Sequence, residues 1–334
     1  MIDYDNRATA EDLLLAKSIA QQFIGAVDGG PVQIPVGSVN KVFQVEANGK
    51  SHIIRLTQDQ HRLGEYQKEA WCAQQARAAG VRTPEVTRIG NLKNTAFMIQ
   101  EFVAGTSGTD GSHDRLAIWQ SQGEQLAKIH AVPINGFGLE LVDPAANQFS
   151  DKFTHSFADH IDYNISTIDA NGFLRPLGVV SPAEHAQMLA CFHEIRQKKW
   201  QLGLCHGDLS LNNVIVTPLC ETFIIDWGCA RSHVIPYFDF TVILKLVQPT
   251  QEQFETFLQA YGFTQNEFEQ VKIDTAQMLL LSATDTLRWA IGHNVVAIGR
   301  YISSVKWALD VYQGRIDLFD QPYHEEYGLE NLSL

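Results

Sequence analysis

One stretch of the chain decides the fold: Leu204-Cys205-His206-Gly207-Asp208-Leu209-Ser210-Leu211-Asn212-Asn213-Val214-Ile215-Val216. It has the form His-x-Asp-x-x-x-x-Asn followed by a β-branched run. A second motif, Ile224-Ile225-Asp226-Trp227-Gly228, places an aspartate eighteen residues after Asp208. Two Val- and Ile-rich runs, 213–217 and 222–225, are separated by a short turn, which predicts a β-hairpin between the motifs.

Three side chains of these motifs fit the chemistry of phosphoryl transfer. That reaction needs a carboxylate near the attacking hydroxyl and oxygen ligands for Mg²⁺ on the nucleotide phosphates. Asp208, Asn213 and Asp226 supply these groups, in the order of the catalytic loop and the Asp-Phe-Gly segment of protein kinases. Each motif alone is common in turns and strand ends. Both together, with a hairpin between them, predict a phosphoryl-transfer site.

The two motifs resemble those of the aminoglycoside phosphotransferase and choline kinase family, a branch of the protein-kinase-like superfamily. The signature of that family is His-Gly-Asp-x-x-x-x-Asn followed by Ile-Asp-Trp or a close variant. Residues 206–213 and 225–227 match it at every defined position. The resemblance implies that Asp208 is the catalytic base, that Asn213 and Asp226 bind Mg²⁺, and that ATP is the phosphoryl donor.

The resemblance also predicts a set of nucleotide-binding residues in the N-terminal part of the chain: Gly37, Ser38, Arg55, Glu69, Gln100 and Phe102. The segment around Gly37 lies where the family has its phosphate-covering loop. Arg55 takes the place of the usual phosphate-binding lysine, and Glu69 on the following helix is its expected ion-pair partner. Arginine keeps the positive charge but presents a planar fork, so the geometry of phosphate binding should differ. The backbone at 100–102 is expected to bind adenine.

The fold class that follows is α+β: a bilobal, protein-kinase-like fold with a small N-terminal lobe and a larger, mostly helical C-terminal lobe. The small lobe should contain an antiparallel sheet, because Asn48-Gly49 separates two β-prone runs and is a strong hairpin signal. The linker-like segment 104–109 places the boundary near residue 105, which gives lobes of 1–105 and 106–334.

Local patterns predict further elements. Thr9 followed by Asp12 marks the start of a first helix, which Gly29-Gly30-Pro31 is expected to end. Helical periodicity from residue 251 to about residue 312 predicts that Trp289 and Trp307 lie in the core.

Two residues of the larger lobe are expected to have structural roles. Asp239 matches an aspartate that follows the metal loop in relatives, and the resemblance implies that it braces the catalytic loop. His130 lies at a predicted helix end, and we expect it to be a hydrogen-bonded structural histidine and not a catalyst.

Composition limits the partners. The 334 residues carry a net charge of −13, all of it arising after residue 105, so nucleic acid and anionic membrane surfaces are disfavoured. Five cysteines without a Cys-x-x-Cys pair suggest neither disulfides nor a zinc site. The polar N-terminus has no apolar signal core, so we expect a cytoplasmic protein, and no obligate protein partner is indicated.

The acceptor is expected to be a hydroxyl of a small molecule, with a cationic, aminoglycoside-like amino sugar as the first interpretation. Asn212-Asn213 with Ile-Asp-Trp is similar to the hygromycin B phosphotransferases. Several carboxylates are candidates for facing a cationic acceptor: Asp159, Asp162, Asp285, Asp317, Asp320, Glu325 and Glu326.

Other interpretations stay open: a kinase of choline, a sugar, homoserine or another metabolite alcohol, or a non-catalytic nucleotide-binding protein of kinase shape. A protein kinase is disfavoured, because few residues separate Gly228 from Pro236 and no Ala-Pro-Glu motif follows. GTP stays open as an alternative donor to ATP, and metabolism as an alternative role to antibiotic resistance.

Overall fold

A computed structural model describes residues 7–34, 40–57, 59, 62–169, 172, 174, 177–294 and 298–319. The chain divides into two compact units. The first comprises Met1–Gly111 and Asn212–Cys229, and the second comprises Ser112–Leu211 and Ala230–Leu334.

Helices and strands alternate in the first unit and helices predominate in the second. The helices are α1 (Ala10–Phe23), α2 (Leu63–Ala78), α3 (Arg115–His130), α4 (Phe157–Ile168), α5 (Pro182–Gln197), α6 (Tyr237–Leu246), α7 (Gln251–Tyr261), α8 (Phe268–His293) and α9 (Ile298–Tyr312). The strands are β1 (Val27–Ile34), β2 (Lys41–Ala47), β3 (Lys50–Thr57), β4 (Val86–Leu92), β5 (Thr95–Glu101), β6 (Thr106–Ser107), β7 (Asn135–Gly136), β8 (Glu140–Asp143), β9 (Gln148–Ser150), β10 (Leu202–Cys205), β11 (Val214–Val216), β12 (Thr222–Ile224) and β13 (Arg231–Val234).

The first unit is built on an antiparallel sheet in the order β1-β2-β3-β5-β4. The predicted Asn-Gly hairpin joins β2 to β3. Asn48 and Gly49 both have positive φ, 51° and 71°, as the tight turn between two twisted strands requires. Phe43, Ile54 and Phe97 point from the sheet into a core that α1 closes.

The start of α1 is as predicted, but its end is not. The Thr9 hydroxyl accepts a hydrogen bond from the backbone N–H of Asp12, and the Asp12 carboxylate accepts one from the backbone N–H of Thr9. This reciprocal pair is a capping box. The helix ends at Phe23, and the segment Gly29-Gly30-Pro31 lies inside β1. The prediction was wrong because β1 is an edge strand with an irregular register between Asp28 and Val32. Edges and bulges are where a sheet tolerates proline and glycine.

A second hairpin carries the chain from one motif to the other within the first unit. Strands β11 and β12 pair in antiparallel fashion, with Ile215 opposite Phe223, and Ile215 also lies opposite Ser107 of β6. The hairpin predicted from the Val- and Ile-rich runs is therefore present.

The second unit is mainly helical and contains the two-stranded ladder β10–β13, whose first strand ends directly before His206. Helices α3 and α7 pack closely, because a Cβ added to Gly123 of α3 would overlap the carbonyl oxygen of Phe257. Trp307 of α9 is buried, as predicted, but Trp289 of α8 is 49% exposed and stacks on His293. At Trp289, the long helix α8 turns one face to the outside. The periodicity of the sequence did not show that Trp289 lies on this exposed face. Among the helices of the described segments, none is long and apolar enough to span a membrane.

Candidate active site

In the first unit, Arg55 of β3 lies between two carboxylates. Its guanidinium forms a short hydrogen bond with Glu69 of α2, and its Nη2 lies 3.4 Å from Oδ1 of Asp226. Arg55 and Glu69 are both buried, whereas the side chain of Asp226 is 49% exposed. The structure therefore brings Arg55 together with two residues that lie 14 and 171 positions after it in the sequence.

Burial and charge act against each other in this cluster. Burial raises the pKa of Glu69, the nearby charge of Asp226 adds to this effect, and Arg55 opposes it. For Arg55, burial alone would lower the pKa, but Glu69 and Asp226 outweigh it, so the pKa rises above its usual value. The guanidinium is therefore a permanent cation that Glu69 holds in place. Its Nη2 faces the accessible carboxylate of Asp226.

The loop that carries Asp226 is held from several sides. Asp226 has a φ of 62°, a left-handed conformation that costs a non-glycine residue energy and is often found at functional sites. Lys68 of α2 donates a hydrogen bond to the carbonyl of Gly228 over 2.9 Å, and the Nε1 of Trp227 donates to Thr83 over 2.9 Å. Sequence reasoning missed Lys68 and Thr83, because neither belongs to the motif that they support.

The proposed metal ligand Asn213 is connected to the same loop through the backbone. It ends a 3₁₀ turn, and its carbonyl accepts a hydrogen bond of 2.9 Å from the N–H of Ile225, the residue before Asp226. One amide oxygen and one accessible carboxylate are the kind of hard oxygen donors that Mg²⁺ prefers. The donor set thus fits Mg²⁺ bound jointly by protein and nucleotide phosphates.

In the second unit, the loop carrying Asp208 leaves the end of β10 and is fixed by Asp239. The carboxylate of Asp239 accepts hydrogen bonds from the backbone N–H of His206 (3.1 Å) and of Gly207 (2.7 Å). Gly207 has a φ of 79°, which favours glycine there. The N–H of Asp208 donates to Nδ1 of His206 over 3.3 Å, and the Asp208 side chain is half-buried.

Asp239 is held in turn by a buried polar chain. Nε2 of His130 lies 3.0 Å from Oδ2 of Asp239, and Nδ1 of His130 lies 2.9 Å from the hydroxyl of Tyr261. Burial would raise the pKa of Asp239, but the hydrogen bonds from His130 and Gly207 outweigh it and lower the pKa. This geometry agrees with the expected structural roles of His130 and Asp239. Tyr261, on α7, is a member that sequence reasoning missed.

The other nucleotide-binding candidates are placed as follows. Gln100 lies on β5 opposite Ile53 of β3 and Val86 of β4, and Phe102 directly follows β5. Both are half-buried. Gly37 and Ser38 lie outside the described residues.

Most carboxylates that were candidates for a cationic acceptor already have partners. Asp285 forms a short hydrogen bond with Arg288 one turn along α8, and Asp162 lies 3.0 Å from Arg196. Asp159 bonds Ser156 at the start of α4, and Asp317 accepts from the backbone of Phe319. The remaining candidates, Asp320, Glu325 and Glu326, lie outside the described residues.

Comparison with known proteins gives consistent matches. The sequence profile of a family described as "Phosphotransferase enzyme family" matches residues 32–273. An aminoglycoside 3'-phosphotransferase from Streptomyces fradiae is 25% identical over 154 residues, which are 45% of this chain and 53% of that protein. The chain thus matches about half the length of this relative.

Solved structures show the fold. The ternary complex of a thermostable mutant of aminoglycoside phosphotransferase APH(4)-Ia with ADP and hygromycin B has a TM-score of 0.63 and 19% identity, over 88% of this chain and 97% of that chain. The macrolide 2'-phosphotransferase MphH from Brachybacterium faecium has a TM-score of 0.63 and 18% identity, over 93% and 99%. The predicted α+β, protein-kinase-like fold class is confirmed. Since the family profile covers well over half of the sequence, the chain belongs to the phosphotransferase enzyme family.

Proposed function

We propose that this protein is a small-molecule kinase that transfers the γ-phosphoryl group of ATP, with Mg²⁺, to a hydroxyl group. The observation that carries the proposal is the cluster of Arg55, Glu69 and Asp226, in which a fixed cation adjoins an accessible carboxylate. In a cluster with only a structural role, we would expect all three side chains to be buried. Asp226 is instead half exposed and has a left-handed backbone, a combination typical of functional sites.

Each residue then has a defined task. Arg55 binds the nucleotide phosphates and Glu69 orients it, while Asn213 and Asp226 hold the metal ion. A Mg²⁺ ion held by these two residues would supply neutralisation of the charge that develops on the phosphates. Asp208 accepts the proton of the acceptor hydroxyl, and Asp239 keeps the loop of Asp208 in one conformation. Gly37, Ser38, Gln100 and Phe102 complete the nucleotide site in this proposal.

The names of the relatives favour an aminoglycoside as the acceptor, which agrees with the first interpretation of the sequence. A second candidate, the kinase of a metabolite alcohol such as choline, a sugar or homoserine, is favoured by one observation. Asp285, one of the carboxylates expected to face a cationic acceptor, is already paired with Arg288.

The test measures thermal unfolding with ATP in the presence and absence of Mg²⁺, followed by ADP release with a panel of aminoglycosides and metabolite alcohols. We expect a metal-dependent stabilisation, since a ligand that binds the folded state at a hundredfold excess over Kd adds about 2.7 kcal/mol. Asp208→Asn should keep this stabilisation and lose ADP release.

Asp114→Asn is the matched control, because asparagine caps α3 as well as aspartate does. Full ADP release by Asp208→Asn, or no stabilisation by ATP at millimolar concentration, would contradict the proposal.

A further inference from the structure

Three basic side chains of the second unit lie near one another, and two of them act on the same carboxylate, Asp285. Arg288 of α8 is hydrogen-bonded to Asp285 on the same helix. Lys245 of α6 is close enough for the charge of Asp285 to raise its pKa and for that of Arg231 to lower it. This group of Arg231, Lys245, Asp285 and Arg288 is called the basic cluster below.

Three of the four members of the basic cluster carry positive charge. The two histidines that face it, His160 and His233, are buried, which lowers the pKa of each, so both are neutral near pH 7. A second carboxylate, Asp151, acts on His160 electrostatically, and its Oδ1 is occupied by the N–H groups of residues 153 and 154. Asp285 is hydrogen-bonded to Arg288, and Asp239 acts electrostatically on Cys205 together with Arg231, whereas the printed partner of Lys245 is a neutral hydroxyl.

Two of the cations have unused bonding capacity. Nζ of Lys245 donates to the neutral hydroxyl of Ser282 over 2.7 Å, and no carboxylate of the described residues lies within ion-pair distance of it. Burial lowers the pKa of Lys245 to about 8, which leaves it mainly protonated at neutral pH. Nη1 of Arg288 is buried without a hydrogen-bond partner in the described part of the chain. An unsatisfied buried donor is costly, and an anionic ligand would satisfy Nη1 of Arg288 and give Lys245 a charged partner.

The basic cluster adjoins the loop of the proposed catalytic base. Arg231 begins β13 directly opposite Cys205, and the chain continues from Cys205 through His206 and Gly207 to Asp208. Another member of the cluster contacts an aromatic ring: the guanidinium carbon of Arg288 lies 3.9 Å from the ring centre of Tyr163, which is 44% exposed. The cluster therefore extends from the catalytic loop to a partly exposed aromatic side chain of the same unit.

We propose that the acceptor is a small alcohol that also carries an anionic group, a carboxylate or a phosphate, and that Lys245 and Arg288 bind this group. The inference rests on the proposed kinase function and specifies its acceptor. A polycationic amino sugar would place additional positive charge beside three basic side chains, whereas an anion would complete the bonding of two of them.

The experiment compares charged acceptors with uncharged counterparts: glycerate and glycerol 3-phosphate against glycerol, and homoserine against its amide. Affinity is measured by calorimetry in the presence of a non-hydrolysable ATP analogue and Mg²⁺, and kcat/KM by ADP release. We expect at least one anionic compound to be preferred over its counterpart. In Lys245→Met this preference should fall about 10- to 100-fold, the value of a charge-assisted hydrogen bond.

Lys306→Met is the matched control, since it removes the same charge from α9, at a cavity of about 440 Å³ on that helix, and should leave the preference unchanged. If Lys245→Met does not fold, Arg288→Gln provides the second test, with the same expected loss. Glycerate and glycerol 3-phosphate together distinguish a carboxylate site from a phosphate site.

The inference and the function on which it rests fail in different ways. The inference would be overturned by equal affinity for charged and uncharged acceptors, or by an unchanged preference in both variants. Efficient phosphorylation of an aminoglycoside that Arg288→Gln leaves unaffected would also overturn it. Binding of an anionic alcohol that depends on Lys245, without ADP release from any compound, would support the site and refute the kinase function.

Discussion

Asp226 lies in the second signature motif and Asp239 follows that motif, but the two carboxylates have opposite environments. Asp239 is fully buried, and both of its oxygens accept hydrogen bonds from the protein. Asp226 is half exposed, has a left-handed backbone, and its Oδ1 lies 3.4 Å from Nη2 of Arg55. A carboxylate whose oxygens are saturated by the protein is a structural support, whereas one kept accessible beside a fixed cation is suited to bind a ligand.

The comparison predicts its largest effect for Asp226→Asn. Loss of the proposed metal-binding carboxylate should reduce ADP release about a thousandfold, because charge stabilisation by a metal ion supplies several kcal/mol of the barrier reduction. The free energy of unfolding without nucleotide should change by less than about 1 kcal/mol, since the side chain is accessible. Urea denaturation and ADP release on the same sample check both parts. A large loss of stability would assign Asp226 a structural role.

Asp239→Asn should show the reverse pattern. The amide places a donor where the protein presents the donors of His206 and Gly207, so a buried bond is broken. We expect a loss of about 3–5 kcal/mol in the free energy of unfolding, the usual effect of removing one partner of a buried charge network. Urea denaturation measures it. If stability matches the wild type, the bracing role is wrong.

Glu69→Gln tests the ion pair that positions Arg55. Glutamine keeps the shape but not the charge, so we expect KM for ATP to rise about tenfold and stability to fall by about 1–3 kcal/mol. Glu65→Gln on the same helix is the control, because Glu65 forms an exposed pair with Arg62 that contributes little. An identical effect of the two substitutions would remove Glu69 from the phosphate site.

The smallest expected effect is on the pH dependence of stability. The pKa of Asp239 is lower in the folded protein than the value of about 3.9 for an unfolded chain. Its contribution is therefore complete above about pH 4 and is lost as the pH falls through the folded-state pKa. His130→Gln removes a bond that lowers this pKa, so the variant should lose less stability than the wild type between pH 5 and pH 3, by about 1 kcal/mol. Parallel stability curves would contradict this assignment.

The parts of the fold that sequence predicted are those encoded by neighbouring residues. The capping box at Thr9 and the Asn48-Gly49 turn are local devices, and each forms as expected. The hairpin between the two motifs is equally local. The short motifs also identified the phosphotransferase family, since they combine several rare residues at fixed spacing.

What the sequence could not provide depends on contacts between distant positions. Lys68 supports the carbonyl of Gly228 from 160 positions away, and Tyr261 holds His130 from 131 positions away. Neither residue carries a local signal of its role. The pairing of Asp285 with Arg288 one helical turn later could have been inferred from spacing, and would have weakened the interpretation of Asp285 as a site for a cation.

The central claim is that Asp226 belongs to a metal–nucleotide site and Asp239 does not. Calorimetric titration of ATP, with Mg²⁺ or with a chelator, into the wild type and Asp226→Asn tests it most directly. We expect wild-type affinity to depend on Mg²⁺ and to fall at least tenfold in the variant, while its melting temperature without nucleotide is unchanged. ATP binding of equal strength with and without Mg²⁺, or equal in the two proteins, would contradict the account.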